Sequence, residues 1–317
     1  MLHCCDVFEF IPVLKDDSVD LLITSPPYNI GKEYEARETL DSYKRWASRL
    51  IEMLKGKIKK GGAVCWQVGN YVKDGNIVPL DVIYIPLFLE HGFNLRNRII
   101  WTYGHGLHST NKLSGRYEVL LYFVKGKSSN TFNLDLIRVP SKEPAKRAYK
   151  GPNKGSLSGN PYGKNPGDVW KIIETEFDAG MWDFPNVKSN HIEKSSHPCQ
   201  FPIELAERCV LAFSGDDDLI VDPFCGMGTT GIAAVIHQRR FIGCDYTREY
   251  IENARQRIHI SGTDPAFTFR YIGTPISEAS TTTKTRQYPA EWKDELGKLT
   301  AHSRLVETDN QRLYKKK

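Results

Sequence analysis

The stretch Ile220-Val221-Asp222-Pro223-Phe224-Cys225-Gly226-Met227-Gly228-Thr229-Thr230 most constrains the fold of this chain. A short apolar run ends in a glycine-bearing turn, and a helical pattern starts at once behind it. Gly226 and Gly228 allow a sharp turn and a close backbone approach that a Cβ would block. The first amides of the following helix have no acceptor within it and suit an anion, such as the carboxylate of a methionine moiety. The next apolar run, Ile242-Gly243-Cys244-Asp245, closes on an acid. At the end of a neighbouring parallel strand, such a carboxylate can accept from both hydroxyls of a ribose. Tyr246 beside it is placed to lie against an adenine. Gly226 to Gly231 also fits the GxGxxG spacing of nicotinamide sites, so this stretch alone leaves a dehydrogenase open.

The rest of the chain reads as alternating strands and helices. Val19-Asp20-Leu21-Leu22-Ile23, Ala63–Val68, Arg98–Trp101 and Glu118–Val124 are short buried-strand patterns. Residues 40–58 carry Trp46, Leu50, Met53 and Leu54 near helical spacing and stop at Lys-Lys-Gly-Gly, and 82–89 is a second helix. After residue 197 the pattern is an amphipathic helix over 202–213, a strand at 219–221, a helix over 229–237, a strand at 240–243 and a helix over 249–258. This alternation predicts an α/β fold, a largely parallel sheet with helices on both faces.

The chain divides into four zones: 1–126, 127–196, 197–273 and 274–317. The second is rich in Pro, Gly, Asn, Ser and Lys. Within it, residues 138–171 hold Arg138, Lys142, Lys146, Arg147, Lys150, Lys154, Lys164 and Lys171 against only Glu143 and Asp168, so the basic bias behind the modest net charge of +5 is concentrated here. Tyr149, Tyr162 and Trp170 are interleaved, a composition suited to phosphates and bases. A solvated loop-rich insertion would read the same way. The loop 104–112, with His105 and His108, is a further candidate for contact near a target base. The last zone is polar and reads as a flexible tail.

Seven scattered cysteines without CxxC pairing argue against a disulfide framework and a zinc site, so no metal is expected. No stretch is long and apolar enough for a membrane helix, and the start resembles no secretory leader, which predicts a cytoplasmic protein.

Thr24-Ser25-Pro26-Pro27-Tyr28-Asn29 follows the Val19–Ile23 strand. Two prolines fix φ and pre-extend the residues before them, giving a rigid loop at a strand end, where ligands sit in such sheets. The exocyclic amine of a base is a poor nucleophile because its lone pair is delocalised into the ring. Two acceptors on its protons, Ser25 Oγ and the Pro26 carbonyl, would free that lone pair for attack on a methyl group, with Tyr28 stacked on the base. A base in duplex DNA must be flipped out to reach such a pocket.

Together these motifs resemble the amino-methylating DNA methyltransferases, in which a (D/N/S)PP(Y/F) motif accompanies DPFxGxGTT. The catalytic motif comes first here, as in the beta class, with the target-recognition region between the two. Arg116-Tyr117-Glu118, Trp182–Val187, Glu193-Lys194, the run from His197 to Arg208, and Tyr250–Arg257 agree with the same family, so the resemblance covers roughly 1–260. It implies a Rossmann-like doubly wound sheet of the S-adenosylmethionine-dependent type, circularly permuted in motif order, with an inserted target-recognition region.

It further implies S-adenosyl-L-methionine as cofactor and double-stranded DNA as partner. Ser25, Pro26, Pro27 and Tyr28 would be catalytic. Asp222, Phe224, Gly226, Gly228, Thr229 and Thr230 would line the methionine part, Asp245 the ribose and Asp6 the adenine, while His197, Pro198 and Gln200 would close the pocket. Lys146, Arg147, Lys150, Lys154 and Lys164 would carry DNA contact. Ser at the first motif position accompanies the N4 amine of cytosine, and Asp there the N6 amine of adenine. Pro198-Cys199 could suggest C5 chemistry, but its surroundings fit the pocket-closing segment. A site-specific enzyme of a restriction-modification system, monomer or homodimer and paired with an endonuclease, is the expectation. The competing readings are a nicotinamide oxidoreductase, which leaves Ser-Pro-Pro-Tyr unexplained, and a DNA-binding module without catalysis. RNA or protein-glutamine methyltransferases place the cofactor motif first.

Overall fold

The computed structural model describes residues 1–31, 37–102, 109–127, 129–139, 141, 146–160, 163–171 and 201–263. In chain order its elements are β1 (Leu2–Cys4), α1 (Val7–Phe10), β2 (Val19–Thr24), α2 (Leu40–Lys57), β3 (Ile58–Val68), β4 (Asn70–Lys73), β5 (Asn76–Pro79), α3 (Leu80–Glu90), β6 (Phe93–Thr102), β7 (Tyr117–Lys125), α4 (Leu134–Ile137), β8 (Val169–Lys171), α5 (Ile203–Phe213), β9 (Leu219–Asp222), α6 (Thr229–Ile236), β10 (Arg240–Asp245) and α7 (Arg248–Thr263).

Eight strands form one sheet in the order β1-β10-β9-β2-β3-β7-β6-β8, and β4-β5 is a separate hairpin. Strands β1, β10, β9, β2 and β3 run parallel, as the alternating pattern predicts. Strand β7 departs from it, pairing antiparallel with both β3 and β6. A strand buried on both faces is apolar throughout in either direction, so its residues do not specify which way it runs.

Both faces of the sheet are covered. Leu21, Ile23, Cys65, Leu120, Tyr122 and Ile220 point into a core closed by α5, α6 and α7. Their strand neighbours Leu22, Val64, Trp66, Leu121, Phe123 and Val221 point into a second core, under α2 and α3. This is the period-two alternation of pleated strands, sandwiched between two helical layers. Helix α2 shows how the outer layer is specified. Thr39 caps its N-terminus by accepting from Ser42 N at 3.2 Å, and Lys55 and Lys57 occupy its last turn. Tyr43, Ala47, Leu50, Ile51 and Leu54 form its buried stripe.

Two parts differ from the sequence reading. Helix α5, expected to be amphipathic, is buried from Leu205 to Phe213 because it lies between the sheet and its helical neighbours α4 and α6. One of its buried charged side chains is paired: Glu207 Oε1 is 2.7 Å from His237 Nε2. Part of the 127–196 zone belongs to the main body. Asn133 bonds to Ala212, Leu211 and Ser214 backbone groups, and β8 adds to the sheet edge beside β6. Trp170, grouped above with the DNA-facing aromatics, is therefore a core residue at 2% exposure.

The two halves of the chain meet at β2 and β9. Leu21 and Leu22 register with Ile220 and Val221. Asp20 fastens the start of this seam, accepting from Leu219 N at 2.9 Å and from Lys59 Nζ at 2.5 Å. Because β2 and β9 are parallel, the loops that follow them emerge at the same edge. Among the described residues no helix is long and apolar enough to cross a membrane.

Candidate active site

At the end of β9, Asp222 is 1% exposed. Its carboxylate accepts from Thr24 Oγ1 and Thr230 Oγ1, each at 2.7 Å, and from Phe224 N at 3.1 Å. Burial pushes this carboxyl up to about 6 against the opposing pull of those three donors. Asp222 and Thr230, both expected to line a cofactor, thus spend their side chains on each other and on Thr24. Facing outward would leave a carboxylate without these partners. These side chains hold the shape of the turn.

The turn itself follows from its glycines. Gly228 has φ +78°, and a Cβ there would lie 2.9 Å from that of Ala254. At Gly231 a Cβ would come within 2.4 Å of Ile258 Cδ1 and 2.6 Å of the Phe241 ring, so the last glycine of the GxGxxG spacing serves the packing of α6 on β10 and α7. The amides of Thr229 and Thr230 at the start of α6 find no acceptor among the described residues.

Asp245 stands at the end of β10 beside this turn. Gly226 N donates to one carboxylate oxygen at 3.1 Å and Thr247 N to the other at 2.8 Å. Desolvation raises its carboxyl, with the amides opposing. Each oxygen keeps a lone pair for a hydroxyl. Asp6 comes to the same edge, since Cys4 registers with Asp245 and Cys5 N donates to the Asp245 carbonyl at 3.2 Å. One oxygen of Asp6 caps α1 through Phe8 N at 2.8 Å. Phe224 is half-buried, 6.0 Å from the Trp46 ring centroid, and Trp46 in turn meets Phe8 and stacks on Tyr43. Tyr246 is exposed next to Asp245. Unbonded helix amides, a half-buried carboxylate and an aromatic wall at one sheet edge fit an amino-acid nucleoside such as S-adenosylmethionine.

The Ser25–Tyr28 loop leaves β2 immediately beside this turn, tied to it by the Thr24–Asp222 bond. Pro26 is buried, whereas Ser25, Pro27 and Tyr28 are half-buried. Tyr43 holds the loop from beneath, donating to the Pro27 carbonyl at 2.7 Å while its oxygen lies 2.8 Å from Tyr84 Oη. Ser25 Oγ is 3.1 Å from Tyr28 Oη, and the Tyr28 hydroxyl donates to Gln67 Oε1 at 2.8 Å. Gln67 Nε2 then donates to Glu118. Gln67 and Glu118 belong to this site, yet no motif marks Gln67. Glu118 stood out only as part of Arg116-Tyr117-Glu118, and its link to the loop depends on β3–β7 pairing.

Of the basic residues, Lys146, Arg147, Lys150 and Lys154 lie on one projecting antiparallel loop. It is closed by Ala148 N to Ser156 O at 2.8 Å, Gly155 N to Ala148 O at 2.9 Å and Ser158 N to Lys146 O at 2.9 Å. Arg147 braces it by donating to the Gly155 carbonyl at 2.8 Å. Tyr149 near its tip is 89% exposed. Lys164 anchors the base through a two-way backbone pairing with buried Val139. His197, Pro198 and Gln200 lie outside the described residues, as do Lys142, Tyr162, His105, His108, Cys199, the segments at 182–187 and 193–194, and the tail.

Comparison with known proteins agrees with this geometry. The chain is 43% identical over 252 residues to the type II methyltransferase M.BglII of Bacillus subtilis, a match spanning 79% of this chain and 66% of that protein. It is 29% identical over 299 residues to the DNA adenine methyltransferase YhdJ of Escherichia coli, covering 92% of this chain and 87% of that one. The PvuII DNA methyltransferase (cytosine-N4-specific) shares the fold with a TM-score of 0.61 at 19% identity, over 81% of this chain and 85% of the other. Residues 19–256 match the N6_N4_Mtase family, described as DNA methylase, which takes in both loops and implies S-adenosylmethionine as cofactor. The chain whose β2 and β9 loops open side by side belongs to this family of DNA methylases.

Proposed function

We propose that the protein methylates the exocyclic N4 amine of a cytosine flipped out of double-stranded DNA. The observation that carries this is the Thr24–Asp222 bond, which sets the base-amine loop and the glycine turn on one crevice. S-adenosylmethionine, when bound, supplies an electrophilic sulfonium methyl. Asp245 would accept from its ribose, the Thr229 and Thr230 amides would take its carboxylate, Phe224 would line its methionine part and Asp6 would face its adenine. Gly226 and Gly228 shape that cradle, and His197, Pro198 and Gln200 would close it.

Ser25 Oγ and the Pro26 carbonyl would accept the two amine protons, freeing the nitrogen lone pair, while Pro27 stiffens the loop and the Tyr28 ring stacks on the base. Holding the reactants in line in this way is worth several orders of magnitude in rate. The basic loop of Lys146, Arg147, Lys150 and Lys154, with Lys164 at its base, would track DNA phosphates. The product would resist a cognate restriction endonuclease.

Serine at the first motif position supports cytosine. The likeness to an adenine methyltransferase favours N6-adenine as the second reading, with the same mechanism. Incubation with unmethylated bacteriophage DNA and radiolabelled cofactor, followed by nucleoside analysis, decides between them. N4-methylcytosine is expected. N6-methyladenine would overturn the base and spare the mechanism, and full transfer by Ser25→Ala plus Tyr28→Ala would remove the loop from the chemistry.

A further inference from the structure

The mechanism above needs Ser25 Oγ as an acceptor, yet a serine hydroxyl is equally able to donate. Which it does is set by the groups behind it. Ser25 Oγ meets Tyr28 Oη, Tyr28 meets Gln67 Oε1, and Gln67 Nε2 meets Glu118. Three elements build this chain: the loop after β2, the end of β3 and the start of β7. Gly69 makes room for it, since a Cβ there would lie 3.1 Å from the Tyr28 ring and 3.5 Å from the Glu118 side chain. Gln67 is buried at 3% exposure, so its amide cannot exchange these partners for bulk water.

An ionised carboxylate only accepts. Glu118 in that form holds the NH2 end of Gln67 toward itself and the amide oxygen toward Tyr28. The Tyr28 proton is then committed to Gln67, and the Tyr28 oxygen is left to accept from Ser25. With its own proton directed inward, Ser25 Oγ meets an incoming amine with lone pairs. A protonated Glu118 permits the opposite sense throughout, in which Tyr28 donates to Ser25 and the serine proton points at the amine.

We propose that Glu118, acting through Gln67 and Tyr28, is a positioning residue whose carboxylate fixes the direction of this hydrogen-bond chain and so makes Ser25 Oγ an acceptor. The inference rests on the reading of the Ser25–Tyr28 loop given above. Burial pushes the Glu118 carboxyl up to about 7, with the Gln67 bond opposing. Among the described residues, the titratable and charged groups beside it are Tyr28 in the loop and, next to it in the chain, Arg116 and Tyr117. Strand β3, the residue that follows it and strand β6 present Gln67, Gly69 and Trp101, none of which titrates. The ionised, correctly directed form therefore grows as pH rises through neutrality.

The test is single-turnover methyl transfer to unmethylated bacteriophage DNA as a function of pH, with the full chain. The wild-type rate is expected to rise through about pH 7. Glu118→Gln and Gln67→Leu should each slow transfer by about tenfold to a hundredfold. Both should remove the inflection near neutrality while leaving S-adenosylmethionine affinity and KM for DNA unchanged. The double variant should be no slower than the slower single one, because either change cuts the same chain. A wild-type rate flat across neutrality, a Glu118→Gln enzyme with the wild-type rate and profile, or losses that multiply would each overturn the proposal. If Glu118→Gln fails to fold, Gln67→Leu and the wild-type profile still decide. Ser25→Ala separates the two readings. Its loss of transfer alongside an unaffected Glu118→Gln defeats only the role of Glu118, whereas full transfer by Ser25→Ala defeats the loop itself.

Discussion

The loops that leave β2 and β9 are neighbours at one sheet edge, and a carboxylate stands behind each, but they are held by different means. Behind the glycine turn, Asp222 collects two hydroxyl donors and one amide within a single compact turn. Behind the Ser-Pro-Pro-Tyr loop, Glu118 acts at a distance through Gln67 and Tyr28, and Gln67 is the partner that steadies its charge. Burial raises both carboxyls, Asp222 to about 6 against three donors and Glu118 to about 7 against the Gln67 bond. The first arrangement makes a rigid cradle. The second leaves a line of rotatable protons whose sense can be set from behind.

The contrast predicts that the two loops fail differently. The largest effect is chemical: Tyr28→Ala should slow methyl transfer by about a hundredfold to a thousandfold with little change in unfolding free energy. A half-buried ring on a loop contributes modestly to the core, so a large loss of stability in urea denaturation would break the distinction.

Asp222→Ala should do the reverse, removing the shared acceptor of Thr24, Thr230 and the Phe224 amide and costing about 3 kcal/mol in urea denaturation. Asp222→Asn keeps an acceptor and should cost less. The same carboxyl gives a pH signature. Its folded value lies above its ordinary one, so its stabilising contribution is fully present below about pH 4 and is lost as pH rises through about 6. The difference in stability between wild type and Asp222→Asn should therefore shift against the wild type between those values by about 3 kcal/mol. A constant difference would mean that Asp222 is not buried as a titrating acid.

Gly231→Ala sharpens the reading of the glycine turn. A methyl group 2.4 Å from Ile258 Cδ1 and 2.6 Å from the Phe241 ring should cost about 1–3 kcal/mol through overpacking. Affinity for S-adenosylmethionine, measured calorimetrically on the folded fraction, should hardly change. A large loss of affinity with intact stability would place Gly231 on the cofactor instead.

Both loops were legible in the chain because each is local: an apolar run, then residues whose backbone restrictions define the turn. Helix α2 was legible in extent for the same reason, although Lys59 to Gly62, read as its stop, belong to β3. What stayed hidden depends on partners far along the chain. The antiparallel sense of β7, the buried charges of α5 and the burial of Trp170 each follow from what packs on them. The inward turn of Asp222 depends on Thr24, and the Gln67–Glu118 bond exists only because β3 and β7 pair. In this site the residues proposed to touch the ligands stand in local motifs, and those that orient them do not.

The smallest effect concerns the basic loop, which differs from both site loops in carrying exposed charge on a backbone tied mainly to itself. Exposed lysines of this kind act on DNA by displacing counterions, so each phosphate contact contributes about 0.9 to the slope of log affinity against log salt. Lys150→Ala and Lys154→Ala should each reduce that slope by about one, with affinity falling at low salt and converging on wild type as salt rises. Lys164 lies at the base of the loop, with its backbone pinned to Val139, and is the internal comparison. If the loop tip carries the phosphate contacts, Lys164→Ala should alter the slope less than either tip variant. Fluorescence anisotropy titrations of a labelled duplex over a range of potassium chloride concentrations measure all three. Equal slopes for wild type and both tip variants would remove the loop from the DNA interface without touching the reading of the two site loops.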